Sequence, residues 1–146
     1  MSFNTTFAND LGLLIFNGTA IADIAENDTS GPLTAYYIAL HTADPGASGT
    51  GSTSEVSYTG YARVSVARTS GGFTVTTNVV SNTAAVTFGL CTSGTPTATY
   101  FSITVASSGT SKILARGQLN GGGLAISPGI TPAFAIGALT ATFVTT

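Results

Sequence analysis

The stretch Tyr36–Ala67, YYIALHTADPGASGTGSTSEVSYTGYARVSVA, decides the fold. Residues alternate with period two at both of its ends. Tyr36, Ile38 and Leu40 oppose Tyr37, Ala39 and His41, and further on Ala62, Val64 and Val66 oppose Arg63 and Ser65. Successive side chains of a strand point to opposite faces, so this alternation predicts two half-buried strands. Between them Asp44-Pro45-Gly46 turns the chain, and Ala47–Ser54 (ASGTGSTS) reads as a flexible loop. The first strand ends in His41, the chain's single histidine.

Toward the C-terminus the same period recurs in shorter pieces. Phe73 and Val75 alternate with Thr74 and Thr76 after the Gly71-Gly72 turn, and Ala84, Val86 and Phe88 form another inward set. Phe101, Ile103 and Val105 against Ser102 and Thr104 give the cleanest alternation. Ser107-Ser108-Gly109-Thr110 then reads as a hairpin loop returning through Ile113–Leu119. Leu124–Ile126 is a short run between glycine and proline turns. Ala133–Val144 is apolar on both parities, which predicts a last strand covered on both faces. About eight short strands at such spacing predict an all-β, β-sandwich or jelly-roll-like domain, with a closed barrel as the alternative.

Toward the N-terminus the period is helical. Asn9–Phe16 (NDLGLLIF) predicts a short helix with Asn9 or Asp10 as N-cap and Leu11, Leu14 and Ile15 on one face. Asn17-Gly18 would end it, and Gly12 counts against it. Thr19–Glu26 reads as a second helical stretch with Asp23 and Glu26 on its polar side, closing in the turn Asn27–Pro32. The expected organisation is one domain over residues 1–146, with residues 1–31 as a helical arm and 32–146 as the β-sandwich.

The 146 residues carry only four basic and six acidic side chains, and 43% are hydrophobic. All six acids (Asp10, Asp23, Glu26, Asp28, Asp44, Glu55) precede residue 56, whereas Arg63, Arg68, Lys112 and Arg116 follow it. Four scattered bases make no footprint for nucleic acid. The run Leu11–Phe16 is too short to span a bilayer, and MSFNTTFAND has no basic region of a secretory signal. A surface this poor in charge can be buried against another subunit with little ion desolvation, which points to a homo-oligomer or a part of an assembly.

No constellation for chemistry stands out. Cys91 is alone, so no internal disulfide forms. His41 has no second histidine for a zinc site, and no serine nucleophile motif accompanies it, so a structural hydrogen-bonding role is expected. The glycine-rich GTGST and NGGGL stretches lack the lysine and the strand–loop–helix setting of a phosphate cradle, and read as turns. Asp44 and Glu55 flank one loop but lack the organising motif of a calcium site. Tyr36, Tyr37, Tyr58, Tyr61 and Tyr100 are weighed as a sugar-stacking platform, but without tryptophan they read as core or interface edges. No catalytic residue, cofactor or metal is expected.

At Tyr37–Gly46 (YIALHTADPG), continuing through Ser54–Val66 (SEVSYTGYARVSV), the chain resembles a family of small tailed-bacteriophage proteins labelled phage tail fibre protein. VSNTAAVTFG (Val80–Gly89), GALTATF (Gly137–Phe143) and the short N-terminal helix add to the resemblance, which covers roughly the whole chain. Ile21–Gly31 is longer than the family's usual link between helix and first strand. The resemblance implies a virion structural protein without enzymatic activity. Compact jelly-roll-like proteins of this size in phages often act as capsid cement or decoration, so a cement protein on the head, a trimer or dimer bound to the major capsid protein, is the leading expectation. The alternative is a tail fibre or tail-tip component that binds a host receptor or glycan among the tail proteins. Either would be made in the host cytoplasm and end on the particle, the head being favoured over the tail. Asp23, Glu26, Asp28, Asp44, Glu55 and Tyr58 are the candidate partner contacts, with a neighbour's Arg63, Arg68, Lys112 or Arg116 facing the acidic arm.

Overall fold

The computed structural model describes residues 5–21 and 33–143. Along the chain run α1 (Thr5–Gly12), a π-helical turn (Leu13–Asn17), β1 (Ala35–His41), β2 (Val64–Ala67), β3 (Phe73–Thr76), β4 (Val79–Asn82), β5 (Val86–Thr87), β6 (Thr97–Ala98), β7 (Tyr100–Thr104), β8 (Ile113–Gln118), β9 (Leu124–Ala125), β10 (Ala133–Phe134) and β11 (Thr140–Thr142). The expectation of an all-β, sandwich-like chain with one short N-terminal helix is met: the sheets are antiparallel and the helix stands first. The residues gather into two compact units. One holds the described residues through Ala35, Val66–Ala85 and those from Phe134 on; the other holds Tyr36–Ser65 and Val86–Ala133.

In the first unit the sheet runs β11-β4-β3, with Thr140 opposite Ser81 and Thr74 in turn opposite Ser81. The helix begins by Thr5, so Asn9 and Asp10 lie inside it rather than capping it. Its buried face is also not the expected one. Ala8, Gly12 and Phe16, four apart, are buried, whereas Leu11, Leu14 and Ile15 are only half-buried. Small residues win because they let the helix axis approach the sheet. A Cβ on Gly12 would stand 3.0 Å from Val75 and 3.1 Å from Phe143. The glycine that weakens helix propensity is therefore what allows the helix to dock. Phe16 packs edge-on against Phe73, ring centroids 5.1 Å apart. Gly18 ends the helix in the left-handed conformation (φ 69°), as its position after Asn17 predicts. Arg68 completes that end, donating from Nε to the Ile15 carbonyl and from Nη2 to the Leu14 carbonyl, each at 2.6 Å. A cation suits the negative end of a helix.

Two other expectations for this unit change. Thr19–Ile21 is not helical, and the rest of the second helical stretch lies outside the described residues. The predicted single last strand is two short ones separated by a turn, with Ile136 71% exposed and Leu139 buried. The break has a local cause. Gly137 adopts φ 72° and its N–H bonds the Asn82 carbonyl at 2.9 Å, a geometry no continuous strand has.

The second unit is organised by the antiparallel strands β1, β7 and β8, in that order. β1 pairs β7 with Ala39 opposite Ser102 and His41 opposite Tyr100, and β7 turns back into β8 as the hairpin signal predicts. The register puts Ala39, His41, Ser102 and Thr104 on one face, and all four are fully buried. The polar parity of β7 is thus interior. Ser102 and Thr104 remain inside because both hydroxyls are bonded, to His41 and to the Ala106 carbonyl.

Candidate functional site

The two halves of the motif that carries the family resemblance meet in space. Tyr61 is the junction: it accepts from the Leu40 N–H (3.1 Å) and donates to Glu55 Oε1 (3.0 Å). Glu55 in turn receives Arg63 as a fork, Nε to Oε1 at 2.7 Å and Nη2 to Oε2 at 2.8 Å. Arg63 gives its other bonds to the Ala106 carbonyl, the Ser111 hydroxyl and the Gly109 carbonyl. A guanidinium has five N–H groups, and here all five are satisfied. The parity expected for this segment is reversed at its start, where Arg63 is 7% exposed and Ala62 faces solvent, and holds along β2, where Val64 and Val66 are half-buried and Ser65 is exposed. A charge is tolerated there because it is paired and fully hydrogen-bonded. Burial pushes the Tyr61 phenol well above the ordinary tyrosine range, with the neighbouring Glu55 carboxylate adding to the rise, so Tyr61 stays a donor.

His41 ties the other side of the loop. Its Nδ1 lies 2.8 Å from the Thr53 carbonyl, which can only accept, so the proton sits on Nδ1. Nε2 then accepts from the Ser102 hydroxyl at 2.7 Å. Burial pushes the imidazole below its usual value, in keeping with a neutral ring. The protons are arranged as in a nucleophile and its base, yet both side chains are fully buried. The pair ties β1, β7 and the 47–54 loop together. That loop, expected to be flexible, is held at further points: Gly51 N–H bonds the Ser111 carbonyl and Thr42 N–H the Ser54 carbonyl, both at 2.8 Å.

Gly60 has its own reason. It adopts φ 105°, and a Cβ there would collide with the Leu90 carbonyl. Thr59 and residues 92–93 exchange main-chain hydrogen bonds across this close approach. Tyr58 donates to the Gly89 carbonyl (2.9 Å) and packs edge-on against Tyr61, which stacks on Phe88.

The candidate contacts accordingly fall in different places. Asp23, Glu26 and Asp28 lie outside the described residues. Asp44 is at the surface, accepting from the Gly46 N–H and from Arg116 Nε at 2.6 Å; the arginine holds its carboxyl below the usual range. Glu55 is largely covered and bound to Arg63, and Tyr58 is 8% exposed. Of the bases proposed to face the acidic arm, Arg63, Arg68 and Arg116 each have acceptors within their own chain. Beside the ion pair an open groove of about 420 Å³ is lined by residues 55–57, 61–63 and 107–109, with exposed serines on its rim. Among the described residues no group of three His, Cys, Asp or Glu could hold a metal, and no helix is long and apolar enough to cross a membrane. Cys91 is fully buried, its thiol against the Gly94 carbonyl.

The sequence model of a family described as podophage GP4 fiber I protein gp80 matches residues 4–142. The chain belongs to this fibre-protein family. No curated protein matches it. Membership makes the chain a phage structural protein and a virion component. Within the fibre-family chain, ALHTADP and GYAR are thus the two ends of one internal clamp. Sequence reasoning missed Ser102, Ser111 and the hairpin carbonyls as its members. The nearness of Glu55 to GYAR was the available signal for the ion pair, because a lone acid eight residues before a lone arginine in a charge-poor chain has few other partners.

Proposed function

We propose that this chain is a fibre component of a phage particle that works by passive binding. The observation that carries the reading is the match of residues 4–142 to a fibre-protein family. The clamp supports it in a physical way. With Glu55, Arg63, His41 and Ser102 all engaged inside, the second unit is a braced scaffold whose contacts are made by its uncharged surface and not by a reacting centre. The groove beside Glu55, with the exposed serines 107 and 108, is where a host receptor or glycan would meet it.

Labelling intact particles with an antibody to this chain, read by electron microscopy, tests the placement. Label on the tail fibres is expected; label over the capsid shell would overturn it. Cementing of the head, the first expectation from the sequence, has in its favour the charge-poor surface, which suits buried contacts with the major capsid protein as well as with tail proteins. Shell labelling together with lost heat resistance in particles lacking the protein would establish it instead. Binding of the isolated protein to host cells, lost on substituting Ser107 and Ser108 with bulky residues, checks the groove.

A further inference from the structure

The turn between β10 and β11 is an apolar knob held by a dedicated polar brace. Asn82, 1% exposed, is the brace. Its Nδ2 donates to the Ala84 carbonyl (2.7 Å) and the Ala135 carbonyl (2.8 Å), and its Oδ1 accepts from the Leu139 N–H (2.9 Å). Its main chain adds two more bonds, N–H to the Leu139 carbonyl and carbonyl from the Gly137 N–H. Five hydrogen bonds from one buried residue therefore fix the turn, and at its tip Ile136 stands 71% exposed. Around it Ala84, Ala85, Ala135, Gly137 and Ala138 are all exposed, and the Asn82 amide brings the first and third of these side by side. A lone surface isoleucine needs no explanation, but one on a rigid turn inside a collar of alanine and glycine forms a patch, and small residues let another backbone come close.

The chemistry of the patch selects its partner. It carries no charge and no side-chain hydrogen-bonding group, and no charged residue occurs anywhere after Arg116. Any charged or strongly hydrated surface would lose its solvation against it without return. This chain's own surface meets the requirement. Of the seven charged side chains among the described residues, Glu55, Arg63, Asp44, Arg116 and Arg68 are all engaged within the chain. It also leaves apolar residues such as Leu90 and Ile130 half open, brought together by the bond from the Cys91 N–H to the Ile130 carbonyl. We propose that the Ile136 turn is the contact through which one copy of this chain docks on a second copy. The knob arrives pre-ordered, so little conformational entropy is lost on docking.

Sedimentation velocity of the full chain over a range of concentrations tests this without reference to the particle. The wild type is expected to self-associate, and Ile136→Asp to weaken association by about tenfold to a hundredfold, the factor that burial of one isoleucine contributes. At concentrations low enough to keep both monomeric, the melting temperature of the variant should match the wild type, because the side chain is in solvent in the single chain. Leu124→Asp, at another exposed apolar site, should associate like the wild type. A wild type that stays monomeric throughout, or equal weakening by both variants, overturns the proposal. A monomeric wild type whose Ile136→Asp form is lost from particles would assign the knob to a different virion protein, again overturning the second copy. The fibre placement stands or falls separately, on where antibody labels the particle.

Discussion

Arg63→Ala tests the clamp directly. The substitution removes two charged bonds to Glu55 and three bonds to Ala106, Gly109 and Ser111. It leaves Glu55, whose side chain is only 20% exposed, with the Tyr61 hydroxyl as its bonded donor. Removing one partner of a buried pair costs about 3–5 kcal/mol because the other charge stays behind unpaired. Here the adjoining groove admits water to Glu55, and the hairpin carbonyls at 106 and 109 lie near solvent. The lower end, about 3 kcal/mol, is therefore expected. For a chain of this size, whose total stability is about 5–15 kcal/mol, that is a substantial fraction. Urea unfolding followed by tyrosine fluorescence should show the midpoint falling by about 1–3 M with unchanged slope. Arg63→Lys should lose less, keeping the charge but only three donors. Combining Arg63→Ala with Glu55→Gln should cost less than the sum of the two by at least about 1 kcal/mol, since the stranded charge is gone. An Arg63→Ala loss under about 1 kcal/mol, or strict additivity with Glu55→Gln, would refute the clamp.

Further outcomes follow from other parts of the fold. Gly60→Ala places a Cβ against the Leu90 carbonyl at φ 105°, so expression of folded protein should fall sharply, whereas Gly46→Ala, with nothing near its Cβ, should lose only about 1 kcal/mol for its positive φ. Gly12→Val should lower thermal stability by about 1–3 kcal/mol by forcing the helix from Val75 and Phe143; an unchanged melting temperature would show that the helix does not rest on that sheet. His41 is held neutral, its folded pKa below the ordinary imidazole value, so the unfolded chain binds the extra proton as the pH falls through that window. Stability should therefore drop on going from about pH 7.5 to 5, and His41→Gln, though less stable throughout, should lose that part of the slope.

How much of this was legible in the sequence differs from element to element. The alternation of Phe73–Val75 and the turn signals around residues 107–110 read correctly, because both are short-range: the pleat sets the one and the hairpin the other. β4 escaped because its buried parity is Val80 and Asn82, and an asparagine reads as solvent-facing until its five internal bonds are seen. The helix face was misjudged for the same kind of reason. Side-chain size predicts how much area a residue can bury, but close packing against a sheet selects Ala8 and Gly12 over Leu11 and Leu14. The site was legible only as a motif: ALHTADP and GYAR marked the family without revealing that Tyr61 joins them.

The sequence by itself determined the all-β class, the turns, the poverty of charge and, through its motifs, the kinship with phage fibre proteins. Those rest on local geometry and composition, which neighbours along the chain already specify. Only the tertiary structure decided where the few polar groups go. Whether Arg63, His41, Ser102 and Asn82 face water or the interior depends on hydrogen-bond partners 2 to 61 residues away, such as the Ala84 and Ala135 carbonyls that accept from Asn82 or the Ser102 hydroxyl that donates to His41. A buried polar group is stable only when such partners arrive together, and nothing in its immediate neighbours announces that they will.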